Sequence, residues 1–189
     1  MVEQAIGVLE GLGIAVEEIS LPEVHDAASI TAGILGAEAT SYHQQWLRER
    51  PQDYDPQVLS RLEAHLFVPA VDYIRAQQAR TRFAQRIREV MERVDILVTP
   101  TEPMSVPRIG ETTIVLNGES RPTQGLMTLF TRVFNAAGTP AISVPCGFDE
   151  RGTPVGLQIA GRAFDEATVL QVAYAYEQAT EWHTLRPKL

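Results

Sequence analysis

The chain has 189 residues, 44% of them hydrophobic and 21% charged, with a net charge of −8. That length fits one domain or a large piece of one, and the apolar content excludes a disordered tail. The acidic balance argues against a nucleic-acid partner, which needs a basic face, and no apolar run approaches the roughly 20 residues of a membrane span.

The single cysteine, Cys146, excludes an internal disulfide and suits a reducing compartment, so the expected location is the cytoplasm. The opening MVEQAIGVLEGLGIAV lacks the basic start and apolar centre of a secretion signal. Fifteen of the sixteen basic residues are arginine, scattered along the chain.

Residues 2–11 carry Val2, Ala5, Ile6, Val8 and Leu9 at helical spacing, and Gly11-Leu12-Gly13 closes that helix. Residues 14–19 then read as a short strand, stopped by Leu21-Pro22. A chain that opens on a helix made to pack on a sheet is expected to be part of something longer. Residues 23–50 read as a second helix, with Ala27, Ala28, Ala32, Gly33, Gly36 and Ala37 allowing close packing. Pro51 and Pro56 bracket a loop. Residues 57–93 read as helical with a break near Pro69, because an interior proline removes a hydrogen bond and clashes with the preceding turn. Their second half places Tyr73, Ile74, Phe83, Ile87, Val90 and Met91 near one face and arginines on a solvated one.

Residues 95–100, DILVTP, read as a strand apolar on both faces, as in a sheet covered on both sides. The segment 100–122 is rich in proline and glycine and reads as an ordered loop. Its stretch 100–110 is a candidate pocket wall, because ligands sit beyond the carboxyl ends of strands in α/β folds. Residues 123–137 read as a helix. Two strands follow, 141–145 after Gly138-Thr139-Pro140 and 155–160 after Gly152-Thr153-Pro154. Residues 165–181 read as the last helix, with Asp165 as N-cap and Glu166 near the positive end of its dipole. Strands alternating with helices predict an α/β fold with helices on both sheet faces. About four strands are too few for a whole sheet of this kind, so the rest is expected elsewhere.

Several chemistries find no motif. The four histidines, His25, His43, His65 and His183, show no metal-ligand spacing. Cys146 ends a buried strand with no histidine partner nearby in sequence and reads as core. Neither a glycine-rich phosphate loop nor a G-x-S-x-G elbow occurs. Neither metal nor cofactor is expected.

The combination T-P-A-I-S-V-P-C-G-F followed by P-V-G-L-Q-I-A-G-R resembles the C-terminal region of the amidase signature family. The likeness extends from LGIAVEEISLP through DYIRAQQAR and VDILVTPTEPMSVPRIGE to FDEATVLQVAYAYEQATEWHTLRP. It implies that residues 1–189 are the C-terminal portion of one amidase-signature domain, an α/β/α fold around a mixed sheet. It also implies hydrolysis of carboxylic amides by a serine nucleophile, a bridging serine and a lysine base. The chain departs from that pattern. It has no adjacent serines and no G-G-S-S-G-G-like segment, and its one lysine, Lys188, sits in the terminal RPKL, unlike the family's lysine motif. Arginine cannot stand in, since it stays protonated. The expectation is a chain inactive alone, whose partners are a small amide in the full-length form and either the missing N-terminal half or a second copy.

The resemblance also implies substrate-binding positions: Arg61, Thr128, Thr131, Phe134 and Asn135. Family members that amidate tRNA carry an aspartate seven residues before the asparagine of the N-x-A-G turn. Counting back from Asn135 reaches Thr128, which favours a general amidase over the glutamine-hydrolysing A subunit of a tRNA amidotransferase. Arg61 is the nearest match to an arginine that grips the glutamine carboxylate in those members, but His65 stands where they carry glycine. A non-catalytic binding or accessory module is the alternative from another class.

Overall fold

The computed structural model describes residues 1–186; Lys188 lies outside them. The elements run α1 (Val2–Gly11), α2 (Val24–Glu49), α3 (Pro56–His65), α4 (Ala70–Met91), β1 (Ile96–Pro100), β2 (Thr113–Leu116), β3 (Glu119–Pro122), α5 (Thr123–Leu126), α6 (Thr131–Ala137), β4 (Ala141–Phe148), β5 (Pro154–Gly161) and α7 (Glu166–Gln178). Short 3-10 turns follow α2 at Pro51–Asp53 and α7 at Trp182–Thr184.

The main sheet has the order β1-β5-β4, antiparallel throughout. On one face, α1 and α7 bury Ala5, Leu9, Val169, Ala173 and Tyr176 against Val144, Leu157 and Ile159. On the other, Ala27 and Ile30 of α2, Phe83, Ile87 and Met91 of α4, and Val133 and Phe134 of α6 close over Ala160. The fold is therefore α/β with helices on both sheet faces. The three strands present pair only antiparallel, so any parallel pairing of a mixed sheet lies outside the described residues.

The helix boundaries follow local chemistry. Asp55 caps α3 by accepting from the Gln57 amide at 2.8 Å, and Pro56 occupies the first turn, where a missing N–H costs nothing. The break at Pro69 separates α3 from α4. Asp165 caps α7 through the Thr168 amide and hydroxyl. The small residues of α2 do allow close approach. A Cβ at Gly33 would lie 3.0 Å from Ala76, and one at Gly36 would overlap the His65 ring. Arg162 closes the end of α4, donating to the Met91 and Val94 carbonyls at 2.9 and 3.1 Å.

The structure corrects four expectations. Residues 14–19 form no strand, because no ladder partner lies beside them among the described residues; Glu17 instead pairs with Arg93 at 3.1 Å. The segment 100–122 is not all loop. It contains the β2–β3 hairpin, turned at Asn117 and Gly118, with φ of 52° and 81°. Two positive φ values make a type I′ turn, the hairpin turn that Asn-Gly favours. The helix at 123–137 is two short ones, α5 and α6. Finally, Ile74 of α4, expected on or near the apolar face of that helix, is exposed.

Candidate functional site

Strand register builds a polar surface on the α6 side of the sheet. Thr99 on β1 and Ser143 on β4 both lie opposite Gln158 on β5. Side chains alternate between faces along a strand, so these three share a face. One row along that face stand Leu97, Ala160 and Ala141, and Ala160 is fully buried beneath α4 and α6. In the other direction Gly156 lies opposite Pro145, and its carbonyl accepts from the Thr101 amide at 2.9 Å. Helices cover the apolar row, and the polar rows begin beyond them. Ser143 is exposed, Thr99 and Thr101 are half-buried, and Gln158 is buried.

These groups are tied to one another. Gln158 Nε2 donates to Thr99 Oγ1 at 3.0 Å. The hydroxyls of Ser143 and Thr101 meet at 2.6 Å. They do so across Gly156, where a Cβ would lie 2.6 Å from each oxygen. Hydroxyls and an amide with no charged side chain among them suit a neutral polar group better than an ion. Such a set can hydrogen-bond a carboxamide, but it supplies no general base.

The loop after β1 forms a wall beside this surface, and it is pinned at several points. Arg151 donates to the Val106 carbonyl. The Arg108 amide donates to Glu111 Oε2 at 2.8 Å, and the Thr123 hydroxyl to the Glu111 carbonyl at 3.0 Å. Its Glu102, directly after Thr101, is half-buried, and burial pushes that carboxyl above its ordinary range. In the β4–β5 turn the Thr153 amide donates to Asp149 Oδ1 at 2.8 Å, and Thr153 holds that carboxyl well below the ordinary range. The Asp149–Arg151–Val106 chain of contacts thus joins the turn to the wall.

Of the five predicted site residues, the structure groups four on one segment. The Thr128 hydroxyl is buried without a hydrogen-bond partner among the described residues. The Thr131 hydroxyl donates to the Thr128 carbonyl at 3.3 Å. Asn135 is exposed. The Phe134 ring is only 4% exposed and belongs to the core cluster under α6. Its carbonyl accepts from the Gly138 and Thr139 amides, closing α6 with Gly138 at φ 73°. Arg61 stands apart, exposed on α3, which packs chiefly on α2.

Sequence reasoning missed two features. Arg80, expected on the solvated face of α4, is half-buried, and its Nε donates to the Ala136 carbonyl at 3.0 Å. That bond sets the end of α6 against α4. The polar rows were signalled only by Ser143 and Gln158, polar residues inside otherwise apolar strands. The predicted core role of Cys146 agrees with its 2% exposure. It sits at the bulge between Pro145 and Gly147, and burial raises its thiol pKa.

Comparison with known proteins follows the same lines. A family profile described as Amidase matches residues 1–170. An amidase of Pseudomonas putida is 35% identical over 189 residues, covering 100% of this chain and 40% of the relative. The A subunit of a glutamyl-tRNA(Gln) amidotransferase from Thermodesulfovibrio yellowstonii is 36% identical over 212 residues, covering 100% of this chain and 43% of the relative. The crystal structure of an amidase superposes with a TM-score of 0.81 at 27% identity, over 94% of this chain and 41% of that one. The chain spans about two fifths of the length of the curated relatives it matches.

Proposed function

The chain belongs to the amidase signature family, and we propose that it forms a substrate-pocket wall and part of the sheet of an enzyme that hydrolyses carboxylic amides to acid and ammonia or amine. One observation carries the reading. The uncharged rows of Thr99, Gln158, Ser143 and Thr101 lie on the sheet face that α6 covers, and α6 adjoins Thr128. On this reading Thr128, Thr131 and Asn135 line the pocket, Phe134 braces it from the core, and Arg61 adds a cation from α3.

The nucleophile and base come from residues outside this chain. Its 189 residues contain no adjacent serines and one lysine, so the family's Ser-Ser-Lys chemistry has no carrier here, and the chain alone turns over no amide. β1 and β4 are the outer strands of the sheet, and further strands of the complete domain would pair along their open edges. The free, buried thiol of Cys146 suits a cytoplasmic setting.

A general amidase is favoured over a tRNA amidotransferase subunit. Thr128 offers a hydroxyl where a carboxylate would grip an amino group. The alignment with the Pseudomonas putida amidase is as long as this chain, whereas the amidotransferase alignment runs to 212 positions and needs residues this chain lacks.

The test is to read the coding DNA around this segment. The expected result is a Gly-Gly-Ser-Ser-Gly-Gly-like segment and an earlier lysine, in frame or on a second polypeptide that co-purifies. Absence of both would leave a non-catalytic accessory module.

A further inference from the structure

The wall loop after β1 has few ties to the rest of the chain. Thr101 fixes its start, with its amide bonded to the Gly156 carbonyl at 2.9 Å. Arg108 and Glu111 fix its end, bonded to each other, and Glu111 accepts in turn from Thr123. Across residues 102–107, one backbone group is hydrogen-bonded among the described residues. It is the Val106 carbonyl, which accepts from Arg151 Nη2. Arg151 lies 45 residues further along, in the β4–β5 turn.

The same Nη2 lies 3.5 Å from Asp149 Oδ2. That oxygen is buried and has no hydrogen-bond partner among the described residues. A buried carboxylate oxygen is costly unless a charge offsets it, and the Arg151 guanidinium is the charge beside it. The other oxygen, Oδ1, accepts from the Arg151 amide at 3.0 Å and the Thr153 amide at 2.8 Å. The Asp149 amide also donates to the Thr153 carbonyl at 2.9 Å. The turn is thus a firm bracket, and one side chain reaches from it to the loop.

We propose, on the reading of this loop as a pocket wall, that Arg151 is a positioning residue of the candidate site. Asp149 orients its guanidinium, and the guanidinium latches the loop to the β4–β5 turn at Val106. An ordinary surface ion pair is worth little, because water screens it and two long side chains must be frozen. Here the Asp149 side chain is 12% exposed and already fixed by two amides, so Arg151 alone must be ordered. Its loss leaves residues 102–107 without a backbone tie. The freed segment swings from Thr101, whose hydroxyl meets Ser143 on the polar rows. Every group of the latch belongs to this chain, so it forms whatever covers the outer surfaces.

The test is limited tryptic digestion of the native 189-residue chain, with early cuts mapped by mass spectrometry. The Arg108–Ile109 bond is the reporter, at a point where Ile109 is fully exposed. Cleavage needs local opening, so its rate follows the open population. Arg151→Ala should speed the cut at Arg108 by about tenfold, the order expected for losing a hydrogen bond to a charged group. Cuts within α4, at Arg82 and Arg88, control for global opening and should not quicken to the same degree. Asp149→Asn keeps an oxygen for the turn amides and loses the charge. It should speed the cut less, and add nothing further once Arg151 is alanine. Arg151→Lys, which keeps a cationic donor, should restore part of the protection. An unchanged rate at Arg108 in Arg151→Ala would overturn the latch. So would equal acceleration in α4, independent effects of the Asp149 and Arg151 changes, or a lysine no better than alanine. No amide enters the measurement, so a failed latch leaves the amide-hydrolysis reading intact, and the latch can stand if that reading fails.

Discussion

The hydroxyls of Ser143 and Thr101 lie 2.6 Å apart across the bare Cα of Gly156. Two strands thereby place polar groups in contact over a third, because the residue between them has no side chain. Substituting Gly156→Ala inserts a methyl 2.6 Å from both oxygens. Overpacking of this kind costs about 1–3 kcal/mol. Adding Ser143→Ala removes one of the clashing oxygens. Denaturant unfolding of the single and double variants should show the double less destabilised than the sum of its parts. Strict additivity would mean that the contact across Gly156 does not exist.

Glu102 gives the wall loop a pH signature. Its carboxyl binds protons more tightly in the folded chain, because burial disfavours the charge. Just above the ordinary carboxylate range, the folded state therefore holds a proton that the unfolded state has released. Stability falls as pH rises through that window and stays lower beyond it. Glu102→Gln removes the cost, so the variant should melt higher than the parent at neutral pH. The gap should close as pH drops below the ordinary carboxylate range. Melting curves across pH measure both.

Local periodicity made much of the fold legible. α2, α4 and α7 appeared close to their observed bounds because each carries its own apolar stripe and breakers. Asp165 was readable because capping is a property of a few adjacent residues. The strand expected at 14–19 did not form, since an extended apolar run becomes a strand only beside a partner, and pairing is not local. The hairpin within 100–122 had a local signal in Asn117-Gly118, obscured by the prolines around it. The polar rows depend on the register of three strands far apart in sequence, so Thr99, Gln158 and Ser143 could not be grouped before their pairing was known. Thr128 to Asn135 stood together because they are neighbours in the chain, whereas Arg61 was linked to them only by family resemblance.

The Asp165 cap has a measurable weight. Its carboxylate accepts from the Thr168 amide at 3.3 Å and the Thr168 hydroxyl at 2.8 Å. Asp165→Ala should cost about 1 kcal/mol, while Asp165→Asn or Ser should recover most of it. Thermal unfolding of the three variants checks the order.

Cys146 should behave as a closed thiol. It is buried, and burial raises its proton affinity, so little thiolate forms near neutral pH. A thiol reagent should label it slowly in the native chain and rapidly once denaturant unfolds it. Fast native labelling would show that the β4 bulge opens readily.

The central claim is that this chain shapes an amide site without supplying the reacting groups. The most direct measurement is ammonia release from simple aliphatic and aromatic amides, and from glutamine, by the purified chain at high protein concentration. The account predicts release no faster than in buffer alone. Turnover that follows the folded chain through purification and is lost on unfolding would contradict it, and would require a nucleophile among these 189 residues.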